Sequence, residues 1–150
     1  MTIKIIRADQ KYIKDISILF DLYRQFYKYK KNINKSQNYI NERIKNNDSI
    51  IFIGLHDEKV VGFVQLYETF DSLNLNKKLV LYDLYVLKEY RKLGIGSKLM
   101  NESKGFAIEN KYISIELSTS KQNLNAQKLY ESLDYIRDKE YYSYELNLKD

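Results

Sequence analysis

The chain has 150 residues, a formal net charge of +5, no cysteine, no proline, five glycines and one histidine. This length fits one domain that can bury roughly 68–70% of its unfolded surface without a covalent staple. The composition excludes disulfides, zinc–thiolate centres and cysteine nucleophiles, and with only His56 it excludes most multi-histidine metal sites.

No apolar run approaches membrane-spanning length, so no membrane partner is expected. Charges interrupt the first residues, Met1 to Arg7, which do not read as a signal peptide; a cytoplasmic location is expected. The basic balance suits an anionic ligand, whether nucleic acid, phosphate or an acidic surface.

Ile3–Arg7 alternates as a short strand. From Asp9 a helical stretch begins, in which Ile13, Ile16, Leu19, Phe20, Tyr23 and Phe26 recur at three- and four-residue steps and give one apolar face. Ser36 is expected to cap a second helix ending near Asn46, with Tyr39, Ile40 and Ile44 facing inward. The basic connection Lys28–Lys35 lies between the two and reads as a solvated link. Ser49–Leu55 is an apolar strand, Asp57-Glu58-Lys59 a hairpin turn, and Val60–Glu68 the return strand. A polar loop, Phe70–Lys78, precedes a strand at Leu79–Val86. Beyond a glycine turn come a helix from Ile95 to about Asn110, a strand Ile113–Leu117, a helix Asn123–Leu133 and a final strand Tyr141–Leu148.

There is no repeat, low-complexity tract or linker, so residues 1–150 read as one domain. The order is strand, two helices, three strands, helix, strand, helix, strand. It predicts an α+β fold: a mixed α/β sandwich with a central sheet and helices on both faces. The hairpin-linked strands should be antiparallel and the later strand–helix–strand units parallel.

Arg91-Lys92-Leu93-Gly94-Ile95-Gly96-Ser97 stands between a strand and a helix. Two glycines there let the backbone approach a ligand and aim several N–H groups at one point, where the helix dipole adds about half a positive charge. Arg91 and Lys92 precede the glycines and Lys98 follows one turn in, so the turn suits a pyrophosphate. A P-loop is excluded because Gly96-Ser97-Lys98 has the wrong order and no glycine stands five residues before Gly96. A dinucleotide fingerprint is excluded because its third glycine would fall on Leu99.

Arg91-x-x-Gly94-x-Gly96, after a strand ending Leu84-Tyr85-Val86, resembles the GNAT superfamily of acetyl-CoA-dependent N-acetyltransferases. A second segment, Asn123-x-x-Ala126-x-x-Leu129-Tyr130-x-x-Leu133, is similar to that family's second motif. The usual glycine ending that helix is Asp134 here, a residue that tolerates the left-handed conformation the position requires. The resemblance covers roughly Val60 to Tyr144. It implies an acyl-CoA N-acyltransferase fold, with a mostly antiparallel sheet splayed between its fourth and fifth strands. It also implies acetyl-CoA as cosubstrate and no metal. Leu84, Tyr85 and Val86 would run beside the pantetheine arm, and Arg91, Lys92, Leu93, Gly94, Ile95, Gly96 and Ser97 would hold the diphosphate. Asn123 and Ala126 would lie near the cofactor. Within the superfamily, Val61–Tyr67 and Leu81–Val86 are similar to the diamine and polyamine (spermidine/spermine-type) branch and to small fungal histone- and polyamine-acetylating enzymes. Those relatives are dimers that acetylate primary amines, so a homodimer is expected. In the polyamine enzymes a glutamate precedes the Asp83 position, where this chain has Tyr82.

A lysine-like ammonium, pKa about 10.4, must lose a proton before it attacks a thioester, so a carboxylate is needed nearby. Asp83, a charge within an apolar run, is the first candidate, the alternative being a buried acid that caps a loop or pairs with a lysine. Glu68 is the second. With Asp71 it would give an acidic mouth between the first two helices and the Phe70–Lys78 loop. Tyr130 matches the family's general acid; without the surrounding motif it would read as one more core tyrosine. A backbone N–H near Leu84 would serve the oxyanion. Asn123 reads equally as a helix N-cap. With no cysteine to carry an acyl group, transfer to the amine is expected to be direct, in a ternary complex. The competing expectation is a non-catalytic coenzyme A sensor, or a basic module for protein or nucleic acid. Nucleic acid is disfavoured, because aromatics interleave with Lys and Arg only over Tyr23–Lys31.

Overall fold

Asp57 and Glu58 both adopt positive φ, 47° and 68°, which is the type I′ hairpin geometry that matches the twist of flanking strands. They join β2 (Ile50–His56) to β3 (Lys59–Asp71) in the computed structural model, which describes residues 2–149. With β1 (Lys4–Arg7), β4 (Asn76–Val86) and β5 (Ile115–Glu116) they form one sheet in the order β1-β2-β3-β4-β5. The first three pairings are antiparallel; β4 and β5 are parallel, through Leu79 with Ile115 and Val80 with Glu116. The chain divides into two compact units, Met1–Ser118 and Thr119–Asp150.

In the first unit, β2 and β3 are buried on both faces, which explains their nearly continuous apolar runs. On one face Phe63 meets Phe20 and Tyr23 of α1 (Ile13–Phe26), and Ile40 of α2 (Ile33–Asn46) joins the same core. On the other face α3 (Ile95–Glu109) packs so closely that a Cβ on Gly62 would lie 3.2 Å from Tyr85 O and 3.3 Å from side-chain atoms of Ile95 and Leu99. Glycine at 62 is therefore what seats α3 against the sheet.

Three expectations are corrected in this unit. The cap of α2 is Asn32, whose Oδ1 accepts from Lys35 N–H at 3.1 Å. Ser36 lies inside the helix, buried, and donates to Asp21 at 2.7 Å. Residues 70–78 are not a loop: β3 and β4 continue outward as a hairpin closed by Asp71, which accepts from Asn74 N–H and Nδ2 at 3.2 and 2.8 Å. Its polar sequence reflects projection beyond the core, where a ladder forms without apolar patterning. β5 is only two residues long, so among the described residues β4 has no strand partner on that side beyond Val80. The expected splay between the fourth and fifth strands is present.

In the second unit α4 (Leu124–Ser132) starts at Asn123, whose Oδ1 accepts from Ala126 N–H at 3.2 Å. It ends in a Schellman motif, with Tyr135 N–H on Tyr130 O at 3.0 Å and Asp134 N–H on Glu131 O at 3.2 Å. Asp134 has φ 68°, the left-handed conformation expected there. The expected strand Tyr141–Leu148 is not formed, and Tyr142, Tyr144, Leu146 and Leu148 are exposed. Alternation fixes which side chains share a face, but a strand also needs a partner for its backbone groups.

Candidate active site

Neighbouring strand residues normally face opposite sides of a sheet. In β4, Asp83 pairs with Gln65 but Leu81 pairs with Leu66, which leaves Tyr82 as an extra, bulged residue. A bulge re-aims side chains. Here Tyr82 and Asp83 both line one cavity of about 570 Å³, within the size range of small-molecule sites. The α1 side contributes Phe20, Tyr23, Arg24 and Tyr27, with Tyr29 just beyond it. Tyr39 comes from α2 and Tyr67 from β3.

Asp83 is at the foot of this cavity and only 3% exposed. Its Oδ2 accepts from Gln65 Nε2 at 2.7 Å, and Gln65 Oε1 accepts from Ser49 Oγ at 2.8 Å. The Tyr23 hydroxyl donates to Tyr82 O at 2.9 Å and lies beside the Asp83 carboxyl. Burial pushes that carboxyl up to about 6, against the downward pull of Gln65 and Tyr23. Burial beside Asp83 also drives the Tyr23 phenol far above its usual value.

Asp21 provides the contrast. It too is buried, but it accepts from Ser36 Oγ, Asn32 N–H and Gln25 Nε2 at 2.7–3.0 Å. Burial raises its carboxyl, yet these donors bring it below the ordinary value. Asp21 is thus the structural acid that locks α1 to α2, while Asp83 is poised to exchange a proton near neutral pH. Gln65→Leu should move the acid limb of a pH–rate profile upward, because it removes the donor that favours the charged Asp83. Leaving Ser49 and Asp83 short of a partner should also lower stability by about 1–3 kcal/mol in urea denaturation.

The other predicted carboxylates are elsewhere. Glu68 is on the opposite face, where it accepts from Tyr112 Oη at 3.0 Å and pairs with Lys77 at 3.7 Å. Asp71 closes the distant hairpin turn. The cavity mouth is therefore aromatic rather than acidic.

β4 carries the remaining geometry. Leu87 N–H donates to Val61 O at 2.9 Å, so strand alternation points the N–H groups of Leu84 and Val86 away from β3, to the side that β5 has left open. Tyr85, between them, pairs with Phe63. Arg91 Nε donates to Val86 O at 2.9 Å, and its guanidinium lies 5.2 Å from the Tyr85 ring centre, which pins the glycine turn to the strand end. Lys92 and Gly94 take positive φ, 63° and 82°, and Leu93 between them is half exposed. Gly94 caps α3, whose first intrahelical bond is Lys98 N–H to Gly94 O at 3.1 Å. The N–H groups of Ile95, Gly96 and Ser97 therefore precede the helical ladder and have no acceptor within it. Ile95 anchors this end in the core. Such a turn fits a diphosphate.

In the second unit Asn123 and Ala126 make the N-cap already described, and the Tyr130 ring lies 6.1 Å from that of Tyr135. The sequence places Tyr23 and Tyr39 on apolar helix faces, as core residues, and gives no site role to them, to Gln65 or to Tyr67. Gln65 carries the same signal as Asp83, a polar residue inside an apolar run.

A strand that parts from its neighbour, a glycine-opened helix beside it and a buried acid beneath the bulge are the features of an acyl-CoA-dependent acetyltransferase. The chain belongs to the acetyltransferase (GNAT) family, which residues 16–135 match. It is 32% identical over 133 residues, 89% of each chain, to the uncharacterized N-acetyltransferase YhfO of Bacillus subtilis. A crystal structure of a probable acetyltransferase superposes with a TM-score of 0.92 at 33% identity, covering 98% of this chain and 99% of the other. The aminoglycoside N-acetyltransferase AAC(6')-Iy in complex with CoA shares the fold, with a TM-score of 0.83 at 16% identity over 97% and 95% of the two chains. The protein is an N-acetyltransferase with acetyl-CoA as its donor. Among the described residues no group of three His, Cys, Asp or Glu could hold a metal ion, and no helix is long and apolar enough to cross a membrane.

Proposed function

We propose that the protein transfers the acetyl group directly to the primary amine of a small molecule, with Asp83 as general base. The observation that carries this reading is the placement of Asp83: buried, raised to about 6, at the foot of a cavity and next to the N–H of Leu84. A base with a pKa near the working pH takes a proton most effectively. Acetyl-CoA supplies the acetyl group. Asp83 takes the ammonium proton, the free amine adds to the thioester carbonyl, and collapse of that adduct breaks the C–S bond; Tyr130 protonates the departing thiolate and is reprotonated by the second proton that the new amide nitrogen sheds. The Leu84 N–H faces the developing oxyanion. The α3 turn, from Arg91 to Ser97, holds the diphosphate. The role of Tyr130 rests on its motif, Asn123-x-x-Ala126-x-x-Leu129-Tyr130.

The reading includes one functional domain over residues 1–150, a cytoplasmic location and a homodimer. The polyamine branch is not carried forward, because Tyr82 replaces the glutamate of those enzymes and Glu68 faces away from the cavity. Thiol release from acetyl-CoA with a panel of amines tests the proposal. Tyr130→Phe should lower kcat by about 10²-fold or more while leaving acetyl-CoA affinity within a factor of about three. Tight CoA binding without turnover of any amine would instead favour a sensor.

A further inference from the structure

The acceptor cavity has a composition that favours one kind of amine. We infer, resting on the acetyl-transfer reading above, that the acceptor is a singly charged primary amine on an apolar, ring-sized body, of the arylalkylamine class. Polyamines and amino sugars are disfavoured.

Seven of the nine residues lining the cavity are aromatic. Three of the tyrosine hydroxyls are turned on the protein. The hydroxyls of Tyr39 and Tyr67 bond each other at 2.6 Å, and that of Tyr23 bonds the Tyr82 carbonyl. What the walls offer is ring surface. A polyhydroxylated acceptor would lose water there and gain few partners, whereas a flat apolar body gains stacking and burial.

Charge argues the same way. Asp83 is the single carboxylate of the lining, so one ammonium is matched and a second is not. Aromatic faces can bind cations, but here the protein's own cations occupy two of them. The Arg24 guanidinium lies 5.2 Å from the Tyr29 ring centre and that of Arg43 lies 4.6 Å from Tyr39. Arg24 also lines the cavity, so a second ammonium would meet a positive field.

The test is initial-rate thiol release at saturating acetyl-CoA with 2-phenylethylamine, tyramine, spermidine and kanamycin. The two arylalkylamines should exceed spermidine and kanamycin in kcat/KM by about tenfold or more, the equivalent of one good ring contact. Tyr67→Leu and Tyr82→Leu, checked for fold by circular dichroism, should raise KM for 2-phenylethylamine by about tenfold and leave KM for acetyl-CoA unchanged. Arg24→Gln should narrow the gap between 2-phenylethylamine and spermidine. A wild-type preference for spermidine or kanamycin, or an unchanged KM in both tyrosine variants, would overturn the acceptor class and leave acetyl transfer standing. Turnover of none of the four amines, with acetyl-CoA still bound, would overturn the acceptor class; acetyl transfer itself would fall only if no amine of a wider panel were turned over.

Discussion

Asp83→Asn should lower kcat by about 10²–10⁴-fold, the usual contribution of a positioned general base, with little change in KM for acetyl-CoA. Wild-type kcat should rise with pH through about 6 as the carboxyl ionises, and this limb should vanish in the variant. The packing can accept the change. The Gln65 amide can turn so that its oxygen meets Asn Nδ2 while its NH2 meets Ser49 Oγ, a hydroxyl that both donates and accepts.

The same substitution should raise stability at neutral pH. Between about pH 4 and pH 6 the folded chain keeps a proton on Asp83 that the unfolded chain has released. Stability therefore falls as pH rises through that window, by an amount on the order of 3 kcal/mol for a shift of about two units. Asn carries no such penalty. Thermal melts at pH 5 and pH 8 should show the variant gaining on the wild type at the higher pH. Loss of turnover together with gain of Tm would mark Asp83 as a residue kept for chemistry. An inactive and equally destabilised variant would point to a purely structural acid.

Phe63→Ala should have the largest effect on folding. Phe63 is fully buried in the middle of β3 and meets Phe20 and Tyr23 edge-on, with centroids 6.4 and 6.2 Å away. Truncating such a ring costs about 3–5 kcal/mol, a large share of the 5–15 kcal/mol typical of a domain. In a chain of this size that corresponds to a Tm drop of about 10 °C or more. Phe20 and Tyr23 also line the proposed acceptor cavity, so residual activity should show a raised KM for the amine and a smaller change for acetyl-CoA. Phe63→Leu keeps most of the volume and should recover much of both.

The two candidate sites differ in how far sequence could reveal them. The diphosphate turn is made by consecutive residues. Gly94 at positive φ, the early helix N–H groups and Arg91 are close in space because they are close in the chain, so a short motif describes them. Asp83 was legible as a charge in an apolar strand. Its surroundings were not: Gln65 and Tyr23 reach it from two other segments, and Ser49 holds Gln65 from a third. The acidic mouth expected from Glu68 and Asp71 failed for a related reason. Their distance from Asp83 along the sheet depends on strand face and hairpin length, which composition does not fix.

Legible in the residues alone were the family, the order of helices and strands through Ser132 apart from the hairpin at residues 70–78, the left-handed Asp134 and the glycine turn. The family follows from the resemblance of two motifs, and the rest from side-chain periodicity and backbone freedom acting over a few residues. Three-dimensional packing was needed to bulge Tyr82, to stand an aromatic box over a single raised carboxyl and to leave residues 141–148 without a strand ladder. Those outcomes depend on register, burial and the availability of a pairing partner. Each is set by residues far apart in the chain, and no local pattern carries it.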